Sequence, residues 1–233
     1  MPPAGLWYVG FMACVTGEYY HIVNRGVDER KIFTSSRDFE RFKRCLLLFN
    51  TTELTQLREA SDNLFLEKLR TGKITRLVDI IAYCLLDNHF HLFVRQKIER
   101  GVEQFLRKLL GGYTRYFNLV HDRKGVLLQS SSKIILVNHE AHFEHISRYI
   151  ILNSLDKIDR EWREHGVRDI LKIKKELIRY PHSSFHGIVS RGLDPILSDD
   201  LIDEIIDRKK FLDDLLSWSS DDYQSASPLL VEA

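Results

Sequence analysis

From Leu77 to Arg95 the chain carries two apolar runs, Leu77 to Leu86 and His89 to Arg95, separated only by Asp87-Asn88. Both runs are rich in β-branched and apolar residues, and Asp-Asn is tight-turn chemistry, so the stretch predicts a buried β-hairpin. Side chains alternate along a strand. His89 and His91 therefore share one face, while Phe90 and Leu92 point into the opposite layer. Two imidazoles on one face can grip a metal, although a hydrogen-bonded or half-exposed pair is the commoner use of His-x-His.

The rest of the pattern frames that hairpin. Glu18 to Asn24 reads as a first strand stopped by Arg25-Gly26, and Ser36 before Asp38-Phe39-Glu40-Arg41-Phe42 as the cap of a first helix. Residues 50 to 75 are polar and read as a helical insertion. Val102 to His121 is a long helix ended by Asp122-Arg123-Lys124-Gly125, Lys133 to Asn138 a short strand, and Glu140 to Leu152 a third helix. The order β-α-β-β-α-β followed by a helix predicts an α+β fold, a ferredoxin-like split βαβ. Its antiparallel sheet carries helices on one face, and a C-terminal helical extension follows. We divide the chain into an N-terminal arm (1–17), a main domain (18–156) and the extension with its acidic tail (157–233).

Composition excludes some classes. Cys14, Cys45 and Cys84 are odd in number and widely spaced, which argues against a disulfide framework or a cysteine zinc cluster and points to a reducing, cytoplasmic setting. Gly5 to Val15 is apolar but too short to span a bilayer and lacks a basic leader, so no membrane partner is expected. The formal net charge is only +1, yet it is unevenly placed. Arg107, Lys108, Arg115, Arg123, Lys124 and Lys133 face one acid, Asp122, whereas Asp194 to Asp214 is dominated by acids and reads as a helix near Leu201 to Leu216. The basic stretch interleaves Phe105, Tyr113, Tyr116 and Phe117, which fits a polyanion groove with stacking platforms and equally an amphipathic helix with a solvated cationic face.

In the third helix Phe143, Ile146 and Ile150 form an apolar stripe, and Tyr149 and Asn153, four apart, share a face. An amide oxygen from Asn153 is a suitable hard ligand for Mg²⁺ or Mn²⁺ beside two imidazoles. Tyr149 taken alone is more often a core aromatic. Tyr113 and Tyr116 compete with it as nucleophiles. His21 reads as a structural histidine ahead of an auxiliary ligand on the face of His89, and His139, His142 and His145 as surface residues. Arg25-Gly26 reads either as a simple turn or as a phosphate contact, and Lys133 either as a backbone contact or as an edge-strand lysine that blocks aggregation.

Five segments together resemble the HUH single-strand transposases with one catalytic tyrosine, the insertion-sequence two-hundred class and the REP-associated tyrosine transposases. They are Tyr20-His21-Ile22-Val23-Asn24-Arg25-Gly26, Asp38-Phe39-Glu40-Arg41-Phe42, Asp87-Asn88-His89-Phe90-His91-Leu92-Phe93, Tyr113-Thr114-Arg115-Tyr116-Phe117-Asn118 and Arg148-Tyr149-Ile150-Ile151-Leu152-Asn153. Tyr180-Pro181-His182-Ser183-Ser184-Phe185 is similar to the segment that follows the catalytic helix, so the resemblance runs from about Tyr19 to Phe185. It implies that Tyr149 is the nucleophile, that His89, His91 and Asn153 bind the divalent metal, and that the partner is single-stranded or hairpin DNA. Arg25, Arg107, Lys108, Arg115 and Lys133 are the expected DNA contacts. The family includes homodimers that exchange the tyrosine helix as well as single-chain sites.

The chain departs from the family pattern at Asp87, where proline is usual, at Asn153-Ser154, where Asn-Pro is usual, and at Ser130-Ser131-Ser132, where an arginine-containing stretch is common. None of these changes removes a proposed ligand or the nucleophile. Two other classes stay open on the residues alone: a catalytically inactive ferredoxin-like nucleic-acid binder, and a metal-dependent phosphodiesterase that uses an activated water.

Overall fold

The computed structural model of the chain describes residues 14–53, 62–138, 142–157, 161–218 and 222. The strands are β1 (Tyr19–Arg25), β2 (Val78–Leu86), β3 (His89–Gln96) and β4 (Lys133–Val137). The helices of the first half are α1 (Ser36–Leu48), α2 (Asp62–Arg70), α3 (Gly101–Val120) and α4 (Phe143–Leu152). Shorter helices follow: α5 (Trp162–His165), α6 (Ile170–Arg179), α7 (Phe185–Val189), α8 (Asp199–Ile205) and α9 (Arg208–Leu216). The expected arm lies almost wholly outside the described residues, as do His139 and residues 219–221 and 223–233.

The four strands form one antiparallel sheet in the order β2-β3-β1-β4. β3 runs between β1 and β2, which is the split βαβ arrangement of an α+β fold, as the element order predicts. α1 starts at the box Ser35-x-x-Asp38, one residue earlier than the Ser36 cap expected. Ser35 Oγ accepts the Asp38 N–H, and the Asp38 carboxylate accepts the N–H groups of Thr34 and Ser35 at 3.0 Å each. Both serines can cap, and the acid three residues on decides between them.

Register fixes the two faces. Val23 opposes both His91 and Lys133, so His21, Val23 and Arg25 share a face with His89, His91, Phe93 and Lys133. The other face, with Ile22, Phe90 and Leu92, is covered by α1 and α3. Phe42 packs 5.0 Å from Phe90, and Tyr113 packs 4.9 Å from Phe42. α4 lies on the histidine face, where Phe143 meets Tyr19 at 4.1 Å and Phe93 at 5.8 Å. With both faces covered, every residue of β2 is buried. That explains why its sequence is continuously apolar rather than alternating.

The edge of β2 is sealed by the segment after α6. Leu85 N–H donates to His182 O, Ser184 N–H to Tyr83 O, and Tyr83 N–H to Ser184 Oγ, each at 2.9 Å. An exposed strand edge is a template for foreign pairing, and the His182-Ser183-Ser184 stretch occupies it. The acidic stretch read as one helix is two, because Asp207 breaks it by accepting the Lys209 N–H and starting α9. Nor is that stretch simply solvated. Leu201, Ile202, Phe211 and Leu215 are buried, and Arg208 pairs with Asp199 and Asp203 at 2.5 Å each. Among the described residues no helix is long and apolar enough to cross a membrane, and all three cysteines are free and buried.

Candidate active site

The two central strands place His21 and His91 side by side, both fully buried. His21 Nε2 lies 3.1 Å from His91 Nδ1, with the rings stacked at 5.3 Å. One hydrogen joins them. In the tautomer in which His91 Nδ1–H donates to His21, the His91 lone pair is left on Nε2, a buried nitrogen with no protein partner among the described residues. His89 stands edge-on to His91 at 5.1 Å and donates its Nδ1–H to Asn88 Oδ1 at 2.7 Å, which leaves its lone pair on Nε2 as well. Burial first, then the Arg25 charge, lowers the His89 pKa to about 4. Burial first, then the neighbouring His89 and His21, holds His91 well below the usual histidine value. Both rings are neutral at neutral pH.

α4 brings Tyr149 over this pair. Its ring meets His91 edge-on at 5.9 Å and His21 at 6.0 Å, and it is fully buried. Asn153, at the end of α4, donates Nδ2–H to Tyr149 O at 2.8 Å, closing the last turn, and accepts Arg163 Nη2–H on Oδ1 at 2.6 Å. Arg163 also pairs with Asp156, which in turn accepts the Trp162 Nε1–H at 2.7 Å. The Arg163 guanidinium lies 6.0 Å from the Tyr149 ring and 4.6 Å over the Trp162 ring. Burial raises the Tyr149 pKa above the usual tyrosine value. The Arg163 charge and hydrogen bonds from Arg163 and Asn153 offset part of that rise.

The donor set fits a divalent metal in part. Among the described residues no three His, Cys, Asp or Glu side chains group as ligands. The two imidazoles nevertheless have the form of ligands, each oriented by a partner on its other nitrogen, and the orphaned His91 Nε2 is a buried acceptor that a cation would satisfy. The Asn153 oxygen expected as the third ligand is taken by Arg163.

The five cations expected at DNA divide between the two sides of the sheet. Arg25 ends β1 opposite His89, beside Glu29 at 3.2 Å, and Lys133 lies on the same face. Arg107 and Arg115 are exposed on α3, behind the sheet. Lys108, also on α3, donates to the carbonyls of Thr51 and, at 2.7 Å, Glu53, so it ties down the chain beyond α1. The aromatics between them are not stacking platforms: Phe105, Tyr113 and Phe117 are core, and Tyr116 donates to Asp38 at 3.3 Å. Tyr113 donates to Ile32 O at 2.5 Å, and both rival tyrosines lie across the sheet from the histidines. His142 and His145 are half-buried rather than on the surface, His145 with its ring 5.9 Å from Trp218.

Sequence reasoning misses three residues of this cluster. Trp162 reads only as part of an extension, and nothing in the sequence marks Asp156 or Arg163. Trp162 and Arg163 reach Tyr149 through tertiary contact, with no sequence period linking α5 to α4, and Asp156, in the 3-10 turn Asn153–Lys157 after α4, joins the cluster through those two residues.

No family model and no curated protein matches the chain. Among solved structures, it is similar to a REP-associated tyrosine transposase bound to a REP hairpin, at 16% identity and a TM-score of 0.47, over 84% of this chain and 90% of that one.

Proposed function

We propose that the chain is a metal-dependent single-stranded DNA endonuclease and strand transferase of the HUH type, acting at hairpin-flanked sites through Tyr149. The observation that carries this reading is the edge-on seating of Tyr149 against the His91–His21 pair, next to a buried histidine nitrogen without a partner. Tyr149 belongs to the buried core and lies 6.0 Å from the Trp162 ring, yet its surroundings are not only apolar. It is held among two imidazoles, an amide and a guanidinium.

In the proposed reaction Tyr149 Oη attacks the scissile phosphorus as its proton leaves. The P–O3′ bond breaks, the departing oxygen takes up a proton, and a 5′-phosphotyrosine and a free 3′-hydroxyl result. The phosphodiester energy is kept in the Tyr149 ester, so a 3′-hydroxyl can reverse the attack. Arg163, beside the tyrosine ring, favours the phenolate and the added phosphate charge. His89 and His91 would hold a Mg²⁺ or Mn²⁺ ion, which would polarise the phosphate and offset charge in the transition state.

The test is incubation with labelled hairpin oligonucleotides and Mn²⁺, followed by denaturing electrophoresis. A denaturant-resistant protein–DNA adduct is expected, absent in Tyr149→Phe and with chelator. Cleavage without an adduct would favour a water-activated phosphodiesterase. Metal-independent binding without cleavage would favour the inactive nucleic-acid binder, a reading to which the full burial of Tyr149 lends support.

A further inference from the structure

We propose that Arg163 is a built-in counter-cation of the site, and that its guanidinium and a divalent ion take the Asn153 side-chain oxygen in alternation. The inference rests on the histidine-pair metal reading and adds a residue to it that the sequence did not disclose. Asn153 Oδ1 accepts Arg163 Nη2–H at 2.6 Å, a short charge-assisted contact. The same guanidinium is clamped by Asp156 and stacked over Trp162, with its side chain only 19% exposed. It is therefore a seated group rather than a passing surface arginine.

Its seat also matters electrostatically. Arg163 lies 6.0 Å from the Tyr149 ring, which itself meets His91 edge-on at 5.9 Å, so its charge borders the histidine pair. A cation entering between His91 Nε2 and Asn153 meets that charge and lacks the amide oxygen until Arg163 withdraws. Two ligands for one oxygen are linked, and each weakens the other by the same factor. Asp156 is the natural anchor for the withdrawn arginine, because it binds both Nη1 and Nη2 independently of Asn153. A scissile phosphate, itself an acceptor for guanidinium, would draw Arg163 off Asn153 as it arrives, so substrate and metal would enter together.

The experiment is a Mn²⁺ titration of the full chain, without DNA, read by electron paramagnetic resonance of the free ion. Arg163→Met keeps the stem against Trp162 and removes the charge. It is expected to bind Mn²⁺ at least about tenfold more tightly than the parent. Arg163→Lys keeps the charge and is expected to stay near the parent, and adding His91→Ala to Arg163→Met is expected to abolish the increase in affinity. Arg163→Gln serves if circular dichroism finds the methionine variant unfolded. If the neutral variants bind no more tightly than a parent that does bind, the inference fails and the histidine reading stands. If neither the parent nor the neutral variants bind Mn²⁺, the metal reading fails and the inference with it.

Discussion

His21 Nε2 and His91 Nδ1 lie 3.1 Å apart on neighbouring central strands, and the contact leaves His91 Nε2 as the nitrogen turned to the site. If His89 and His91 hold a metal as proposed, His21 is an orienting partner rather than an extra ligand. Such partners are worth about 10- to 100-fold in metal affinity. His21→Phe keeps a ring in the space but removes the hydrogen bond, and it is expected to weaken Mn²⁺ binding by that factor while the fold persists. A Mn²⁺ titration beside a circular dichroism spectrum checks it, and unchanged affinity in a folded variant would return His21 to a packing role.

The seal on β2 has a measurable strength. Ser184 Oγ accepts the buried Tyr83 N–H at 2.9 Å, and Ser184→Ala leaves that donor without a partner. An unpaired buried backbone group costs about 1–3 kcal/mol. Urea unfolding should show an unfolding free energy lower by that amount, seen as a lower midpoint with an unchanged slope.

The order of strands is legible because each short segment states its own geometry. Asp87-Asn88 makes the hairpin, and Tyr149 and Asn153 show their shared face through helical spacing. Relations between distant segments are not legible. Nothing in the run Arg107 to Lys133 tells which side of α3 meets the sheet, so aromatics that the core absorbs look like stacking platforms. Arg163 lies ten residues beyond Asn153 on a separate helix, and only packing brings the two together. The break at Asp207 is hidden for another reason: no proline or glycine marks it, and an aspartate can continue a helix or cap a new one.

Acid should weaken the fold at His182. Its ring stacks 3.8 Å from Phe39, and burial first, then the Lys43 charge, lowers its pKa from 6.5 to about 4. The folded state therefore resists a proton that the unfolded chain accepts. The stability this contributes is present above pH 6.5, falls as pH drops toward 4, and is absent below. His182→Phe keeps the stack and removes the proton site. Its urea midpoint should decline less between pH 6.5 and 4 than that of the parent, and parallel declines would exclude His182 as a source of the effect.

Asp38 responds over a lower window. Burial would raise its carboxyl, but hydrogen bonds from His121, Thr34 and Ser35 outweigh that and hold it below the ordinary aspartate value of 3.8. A depressed acid stabilises above its unfolded pKa and loses that contribution as pH falls through the folded value. Asp38→Asn keeps the size but not the charge. The variant should be less stable than the parent at pH 7, and the gap should close as pH falls below 3.8, as read by thermal unfolding.

The division of cations by the sheet gives the sharpest test of where a strand would run. Arg25 and Lys133 share the face of His89, His91 and Tyr149, while Arg107 and Arg115 project from α3 behind it. A single strand whose phosphate reaches Tyr149 has to pass the first pair and has no reason to meet the second. Removing one cation that neutralises a phosphate of a single strand lowers the slope of log affinity against log salt by about 0.7. Arg25→Ala and Lys133→Ala should each weaken binding of a hairpin oligonucleotide with that change in slope, measured by fluorescence anisotropy across a salt series. Arg107→Ala and Arg115→Ala should leave affinity and slope unchanged. The reverse pattern would put the nucleic acid on α3, away from the tyrosine, and would favour the non-catalytic binder over the strand transferase.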